Sequence, residues 1–168
     1  MILRPDVRFL VAHPAHFVAL GLGTGLAPIA PGTVGTLLAF PIFLGMEAAL
    51  GPLDGWPGRL VFIASIAVLF ALGVWACGRT GRDLGIADHG SMNWDEVVAF
   101  LLVLLLTPGG IAWQAVAFFL FRFFDVVKPP PIRHIDRTIK GGFGVMFDDV
   151  VAAFYTLLLV ALVKRLFF

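Results

Sequence analysis

The sequence predicts an all-α fold, an integral membrane helical bundle with short or broken helices, in a single domain over residues 1–168. Hydrophobic residues make up 60% of the chain, charged residues only 14%, and the mean hydropathy is +0.97. A soluble domain carries about 25% charged residues. The composition therefore excludes a free soluble globule, and it equally excludes a disordered chain, which needs low hydrophobicity and high net charge. The net charge of +1 implies no basic face for nucleic acid.

Apolar stretches that are nearly free of charge are the second observation. They are Val34–Leu50, Leu60–Cys77, Val97–Phe121 and Val150–Val163. The second stretch has no charged residue, and its eighteen residues would span about 27 Å as a helix, close to the hydrocarbon core of about 30 Å. Each stretch is therefore predicted to form a membrane-embedded helix.

A break inside the third stretch is the third observation. Thr107-Pro108-Gly109-Gly110 stops a helix, which leaves Val97–Leu106 and Ile111–Phe121 too short to cross a bilayer alone. The pair is predicted to form either a hairpin that dips into the membrane or two helices extended by flanking residues.

Basic residues predict the orientation. They fall in three connecting regions, namely Arg4 with Arg8, Arg79 with Arg82, and the group from Arg122 to Lys140. If the first two stretches span and the third forms a hairpin, all three regions lie on one side, which the positive-inside rule makes cytoplasmic. The tail at Lys164-Arg165 disagrees with this orientation if the last helix also spans.

The acidic residues are clustered. Of the eleven in the chain, those between positions 83 and 149 are Asp83, Asp88, Asp95, Glu96, Asp125, Asp136, Asp148 and Asp149. Under the predicted topology, Asp95-Glu96 begins one apolar helix, Asp125 follows the end of another and Asp148-Asp149 opens the last. These helix ends bring five carboxylates to one membrane face, the predicted active site.

A metal explains this set better than helix capping does. Acids at a helix N-terminus oppose the positive end of the dipole, which suffices for Asp95 or Asp148 alone, but Asp125 falls at a C-terminus, where negative charge is unfavourable. Five carboxylates repel one another in a low-dielectric setting, and a divalent cation relieves that repulsion. Oxygen-only ligands favour Mg²⁺ or Mn²⁺ over zinc. The predicted metal ligands are Asp95, Glu96, Asp125, Asp148 and Asp149.

Cationic and glycine-rich segments surround the acids and predict phosphate binding. Lys128, followed by Pro129-Pro130-Pro131, is held at a fixed offset from Asp125 and could bind phosphate as a point charge, although a lysine snorkelling to the interface is the alternative. Arg133 and Lys140 are weaker candidates, and Arg122 is interpreted as a cytoplasmic anchor. His134 lies beside this segment as a minor acid–base candidate.

Two glycine-rich segments are further candidates for substrate contact. A loop over Lys140–Asp149, with Gly142 as its predicted substrate-binding residue, could present N–H groups to an anion. A second segment, Gly21–Thr36, has no Walker signature and is predicted to pack against the site with Thr33 or Thr36 touching the substrate. For Thr33 the preferred interpretation is helix capping.

Four motifs together resemble the phosphatidylglycerophosphatase A family of bacterial membrane enzymes. They are Gly21-Leu22-Gly23 with Pro31-Gly-Thr-Val-Gly-Thr36, Asn93-Trp-Asp-Glu-Val97, Phe121-Arg-Phe-Phe-Asp-Val-Val-Lys-Pro-Pro-Pro-Ile132 and Gly141-Gly-Phe-Gly-Val-Met-Phe-Asp-Asp149. They run in family order and cover roughly residues 20–155, and the last two are the most specific.

The resemblance implies a mostly helical, Mg²⁺-dependent lipid phosphatase that converts phosphatidylglycerophosphate to phosphatidylglycerol and phosphate. It places the family's acidic positions on Asp95, Glu96, Asp125, Asp148 and Asp149, and its lysine on Lys128. Asp88 matches an acid upstream of the Asp-Glu pair. Ala99 and Ala153 stand where many members have glycine, and Ala87 stands where a basic residue is common.

Metal-assisted hydrolysis of a phosphomonoester is the predicted chemistry, with the substrate's tails held in the bilayer. Asp95, Glu96, Asp125, Lys128 and Asp149 are the predicted catalytic residues, and Glu96 or Asp149 is the candidate proton acceptor. A phospho-aspartyl intermediate on Asp125 ranks second because the Asp-x-Asp signature is absent. The alternatives are another phospholipid-headgroup enzyme, or a membrane carrier whose acids line an ion path.

Overall fold

The computed structural model describes residues 4–51, 53 and 55–167, and within them every regular element is a helix and none is a strand. The predicted all-α class is confirmed. The elements in chain order are α1 (Val7–Ala12), α2 (Pro14–Ala19), a 3₁₀ helix (Gly21–Leu26), α3 (Pro31–Leu50), α4 (Gly55–Leu84), α5 (Trp94–Leu106), α6 (Ile111–Val127), α7 (Ile132–Thr138) and α8 (Gly141–Phe167).

Three helices are long and apolar enough to cross a membrane. They are Pro31–Leu50, Gly55–Leu84 and Gly141–Leu166. Large apolar side chains such as Leu44 and Val68 remain exposed on their outer faces, as expected where the surrounding solvent is lipid. The chain is therefore a membrane protein, as its composition predicts.

The break in the third apolar stretch is confirmed, and both pieces are extended by flanking residues. Thr107–Gly110 separates α5, of 13 residues, from α6, of 17. α5 packs against α3, α4 and α8 and is buried on nearly every face, so the shortest of the apolar helices is the centre of the bundle. A central helix surrounded by others needs no polar face, which is why its sequence is apolar throughout after Glu96.

The last helix begins earlier than predicted, which corrects the expected glycine-rich loop. α8 starts at Gly141, so Asp148 and Asp149 lie two turns inside it and the helix dipole does not account for either of them. The glycines allow close packing: a Cβ on Gly142 would collide with the carbonyl oxygen of Val74 on α4. Helix contact at this point therefore replaces the predicted loop.

The N-terminal glycine segment is packed against the start of α5, as predicted. A Cβ on Gly21 would collide with the Asn93 side chain, and Gly21 has a φ of 53° that glycine adopts without strain. The capping interpretation of Thr33 is wrong, because Ala30 is the N-cap of α3 and no side chain among the described residues caps this helix. Thr33 instead lies in the first turn.

Helix directions bring most basic residues to one end of the bundle, here called the basic end. It contains the N-termini of α3, α5 and α8 and the C-termini of α4 and α6. Its basic residues are Arg4, Arg8, Arg79, Arg82, Arg122, Lys128, Arg133, Arg137 and Lys140. The opposite end, where α4 begins and α8 ends, has three basic residues, Arg59, Lys164 and Arg165.

Replacing Gly142 with alanine tests the α4–α8 contact. The added Cβ meets backbone atoms of Val74 and Gly78, which cannot rotate away, so we expect the free energy of unfolding to fall by about 3 kcal/mol. Thermal unfolding of the purified protein in detergent measures this. Gly45→Ala is the matched control: a Cβ at this position in α3 meets nothing within 4 Å, so stability should be unchanged or slightly higher. Equal melting temperatures for the two variants would contradict the packing.

Candidate active site

The start of α5 is held rigidly by Asn93. Its fully buried side-chain amide donates to the carbonyl oxygen of Pro31 at 2.7 Å and to Oγ1 of Thr24 at 3.0 Å, so one residue ties together α5, α3 and the 3₁₀ helix. The indole of Trp94 donates to the carbonyl oxygen of Leu69 on α4 at 3.2 Å. The next two residues, Asp95 and Glu96, therefore project from a helix end that cannot shift.

Three buried carboxylates converge at this point. Asp95, Glu96 and Asp149 each present an oxygen, and these oxygens lie within 4.8 Å of one another. We call this group the carboxylate cluster. One oxygen of each residue is buried without a hydrogen-bond partner: Oδ1 of Asp95, Oε2 of Glu96 and Oδ2 of Asp149. Unpaired buried oxygens of this kind are costly unless a cation or a proton satisfies them.

Asp125 borders the cluster and is paired with Arg122. Arg122 Nη1 lies 2.7 Å from Oδ2 of Asp125, one helical turn away, and 3.4 Å from Oε1 of Glu96. The same guanidinium donates to Oγ1 of Thr36 at 3.4 Å. Asp125 also lies beside Asp149 of the cluster. Among the described residues, Arg122 is the only strongly basic side chain that contacts the cluster, and it is paired with both Asp125 and Glu96.

Asp148 belongs to a second, adjacent group. Its carboxylate accepts a hydrogen bond from Lys128 Nζ, which lies 3.0 Å from Oδ1 of Asp136 on α7. Burial alone lowers the pKa of Lys128, but its bonds to Asp148 and Asp136 outweigh this and raise the pKa above its ordinary value. Consecutive residues project about 100° apart around a helix, so α8 directs Asp149 to the cluster and Asp148 to this lysine.

The electrostatics of the cluster match a cation site. Burial and the Asp125 charge raise the pKa of Glu96 to about 7, although Asp95 and Arg122 counteract this. A divalent cation would remove the repulsion and satisfy the unpaired oxygens, and an all-oxygen donor set is the kind that Mg²⁺ prefers. Asp95, Glu96 and Asp149 are the residues that fit such an ion. Asp125 is paired with Arg122, and Asp148 is paired with Lys128 through Oδ2, although its Oδ1 is also buried without a partner.

The remaining predicted substrate contacts are spread over the basic end. Arg133 and His134 are exposed on α7, and Lys140 is exposed with its Nζ donating to the carbonyl oxygen of Asp136 at 2.7 Å. Thr33 is half-buried, whereas Thr36 is fully buried and donates to the carbonyl oxygen of Gly32. Gly142 has the packing role described above. Substrate contact by any of these residues stays a prediction.

Arg122 and Gly32 contribute to the site in ways that the sequence analysis missed. The sequence suggested that Arg122 is a cytoplasmic anchor, but its guanidinium is partly buried against Glu96, Asp125 and Thr36. Its spacing of three residues from Asp125 places both side chains on one helical face, and this spacing could have revealed the pair. At Gly32 a Cβ would collide with Oε1 of Glu96, so glycine leaves the space that this carboxylate occupies. Nothing in local sequence marks that contact.

Fold and site together define a helical membrane protein with a buried, cation-type carboxylate cluster beside a lysine at its basic end. The sequence profile of the phosphatidylglycerophosphatase A family matches residues 17–164, so the chain belongs to this family, and it is an enzyme, a lipid phosphatase. This membership supports an enzyme over the ion-carrier alternative. No solved structure matches the chain.

Individual relatives agree with the assignment. A phosphatidylglycerophosphatase A of Haemophilus influenzae is 40% identical over 93% of this chain and 92% of its own length. The protein of the same name from Escherichia coli is 38% identical over 86% of this chain and 80% of its length. A Bacteroides thetaiotaomicron protein with the provisional name phosphatidylinositol-3-phosphatase is 36% identical over 88% of this chain and 91% of its length.

Removing the Arg122 charge tests its role in balancing the acids. Arg122→Met leaves Glu96 and Asp125 without their shared cation, so we expect the free energy of unfolding to fall by about 3–5 kcal/mol in EDTA. Chemical or thermal unfolding in detergent measures it. Adding Asp125→Asn to this variant should recover part of the loss. Arg137→Met, at an exposed position on α7, is the control and should shift stability by less than about 0.5 kcal/mol. An equal loss of stability in Arg122→Met and Arg137→Met would contradict the pairing of Arg122 with Glu96 and Asp125.

Proposed function

We propose that this enzyme removes the terminal phosphate of phosphatidylglycerophosphate, yielding phosphatidylglycerol and phosphate, in a Mg²⁺-dependent reaction at the cytoplasmic face of the bacterial inner membrane. The names of the Haemophilus influenzae and Escherichia coli relatives cited above support the substrate. The observation that carries the chemistry is the carboxylate cluster, with its unpaired buried oxygens, next to Lys128.

Mg²⁺ is the proposed cofactor, held by Asp95, Glu96 and Asp149. When bound, it would supply positive charge toward the phosphate oxygens and lower the pKa of a coordinated water. Asp125 and Asp148 lie at the border of the cluster, where Arg122 and Lys128 already compensate their charges. We therefore assign them to positioning the site, which narrows the ligand set from five predicted carboxylates to three.

Lys128 is the proposed phosphate-binding group. Its three N–H donors exceed the two carboxylate partners that hold it, Asp136 and Asp148, so one remains for a phosphate oxygen. The left-handed backbone at Lys128, with a φ of 46°, and the prolines that follow it hold the ammonium group at the basic end. An ammonium group fixed there offsets the charge that develops on the phosphate in the transition state.

Proton transfer falls to a carboxylate of the cluster. Water attacks phosphorus, its proton passes to Glu96 or Asp149, and the bond between phosphorus and the glycerol oxygen breaks; that oxygen then takes a proton from the same carboxyl group or from solvent. Glu96 and Asp149 each have a buried oxygen without a hydrogen-bond partner, so either carboxylate has an atom free to accept the proton. The Arg122–Asp125 ion pair favours this direct route over an intermediate on Asp125.

The charge distribution supports the cytoplasmic placement. Lysine and arginine are more frequent on the cytoplasmic side of spanning helices than on the other side, and most lysines and arginines of this chain lie at the basic end with the cluster. Arg59 and the Lys164-Arg165 tail are the exceptions, because α4 begins and α8 ends at the other end. Three charges against nine leave the proposed orientation unchanged.

Phosphatidylinositol 3-phosphate is the alternative substrate, and the name of the Bacteroides relative favours testing it. Both lipids present a phosphomonoester at a membrane surface, and they differ in the group that carries it. Comparing phosphate release from the two lipids in identical micelles decides between them.

Phosphate release by the purified enzyme tests substrate, cofactor and site. We expect release from phosphatidylglycerophosphate, complete loss in EDTA, recovery with Mg²⁺, and a fall of about a hundredfold or more in Asp149→Asn, which removes one ligand charge. Glu47→Gln is the control, since Glu47 lies near the far end of α3 and should leave the rate unchanged. Full activity in Asp149→Asn would refute the site. Faster phosphate release from phosphatidylinositol 3-phosphate would show that this lipid, and not phosphatidylglycerophosphate, is the preferred substrate.

Replacing Lys128 separates its catalytic role from its structural one. Lys128→Gln should lower kcat about a hundredfold because it removes a donor to the phosphate, and it also leaves Asp148 buried without its partner. The double variant Lys128→Gln with Asp148→Asn removes that unpaired charge, so it should regain thermal stability but not activity. Lys164→Gln, at the opposite end, is the charge-matched control. Recovery of kcat in the double variant would contradict phosphate binding by Lys128.

A further inference from the structure

An apolar groove runs along the side of the bundle between α4, α5 and α8. Its volume is about 350 Å³, within the range of ligand sites, and among the described residues no polar side chain lines it. α4 contributes four apolar residues, Ile63 and Ala67 among them, α5 contributes Val98, Ala99 and Leu102, and α8 contributes Phe143, Phe147 and Val150. An open apolar space of this size between three helices can hold a hydrocarbon chain.

The groove opens sideways, toward the region that lipid occupies. Ile63 on one wall and Phe143 on the other are exposed by 41% and 46%, and Ala67, one turn after Ile63 on α4, is also exposed. Both walls belong to helices that are long and apolar enough to span the membrane. A hydrocarbon chain can therefore enter from the bilayer without crossing a polar surface.

The groove and the carboxylate cluster share one face of α5. Along α5, Asp95, Val98, Ala99 and Leu102 follow one another at spacings of three, four and seven from Asp95, which places all four on one face of the helix. The first of these residues, Asp95, belongs to the carboxylate cluster, and the other three form the floor of the groove. A molecule with a phosphate at one end and an apolar chain at the other matches this arrangement.

We propose that this groove binds an acyl chain of the phospholipid substrate and positions its phosphate at the cluster; the assignment rests on the proposed function. Because lipid tails are as apolar as the groove, the benefit is not transfer out of water but a fixed orientation of the scissile group. Ala99, in the floor, and Ala67, at the lip, set the width that the chain meets.

A second apolar groove provides an internal control. It lies between α3 and α4, has a volume of about 450 Å³ and includes Ala49 in its wall. Ala49 is seventeen residues along α3 from Gly32, which borders Glu96, so the helix separates the two by about 25 Å. A chain bound there could not deliver its phosphate to the cluster.

The test compares chain length in two variants. Ala67→Phe narrows the first groove at an exposed position, and Ala49→Phe places the same side chain in the second. Phosphate release is measured on dipalmitoyl and dibutyryl phosphatidylglycerophosphate in detergent micelles. We expect Ala67→Phe to lower kcat/KM for the dipalmitoyl lipid by about tenfold or more while changing the dibutyryl lipid by less than about twofold. Ala49→Phe should leave both rates unchanged.

The outcomes are distinguishable. An equal loss on both lipids, or no loss on either, overturns the groove while leaving the proposed function intact; absence of release by the wild-type enzyme from either lipid overturns the proposed function instead. If Ala67→Phe does not fold, a labelling experiment on the wild-type protein tests the groove instead. A phosphatidylglycerol with a photoreactive palmitoyl chain should label peptides of α5 and α8, and labelling confined to the α3–α4 groove would also overturn the assignment.

Discussion

The burial of like charges among apolar helices is the constraint on which the rest of the structure depends. Asp95, Glu96 and Asp149 present oxygens within 4.8 Å of one another, in a bundle that has few charged residues to spare. Such a cluster is costly unless cations or protons compensate it. Arg122 and Lys128 supply part of that compensation through Asp125 and Asp148, and the unpaired oxygens of the cluster are where the proposed divalent ion would bind.

The fold places the cluster by rigid contacts. Asn93 ties the start of α5 to α3 and to the 3₁₀ helix, and Gly32 leaves room for the Glu96 carboxylate. At the other side, Gly142 lets α8 approach α4 closely enough to bring Asp149 alongside. The hydrogen bonds of Asn93 and the close packing at the two glycines thus hold the three acidic side chains near one another, against their electrostatic repulsion.

In the proposed function, the polar and apolar parts of the molecule bind different parts of the lipid. The basic end concentrates positive charge beside the cluster, whereas the grooves between the spanning helices offer hydrocarbon surface to the bilayer. α5 belongs to both, because one face of it carries Asp95 at its start and small apolar residues below it. α5, with 13 residues, is shorter than the helices that could span a membrane, and it begins at the site.

The sequence by itself determined the helical membrane class, the break at Thr107–Gly110 and the set of acidic residues with Lys128, because hydropathy, proline and glycine, and charge scarcity act locally along the chain. Only the tertiary structure decided how the acids divide, because their grouping depends on which helix faces which. Adjacent Asp148 and Asp149 point to different partners, and Arg122 turns inward to Glu96 rather than outward to the membrane surface. The start of α8 was likewise missed, since glycines that form a loop when exposed form a helix when a neighbouring backbone packs against them.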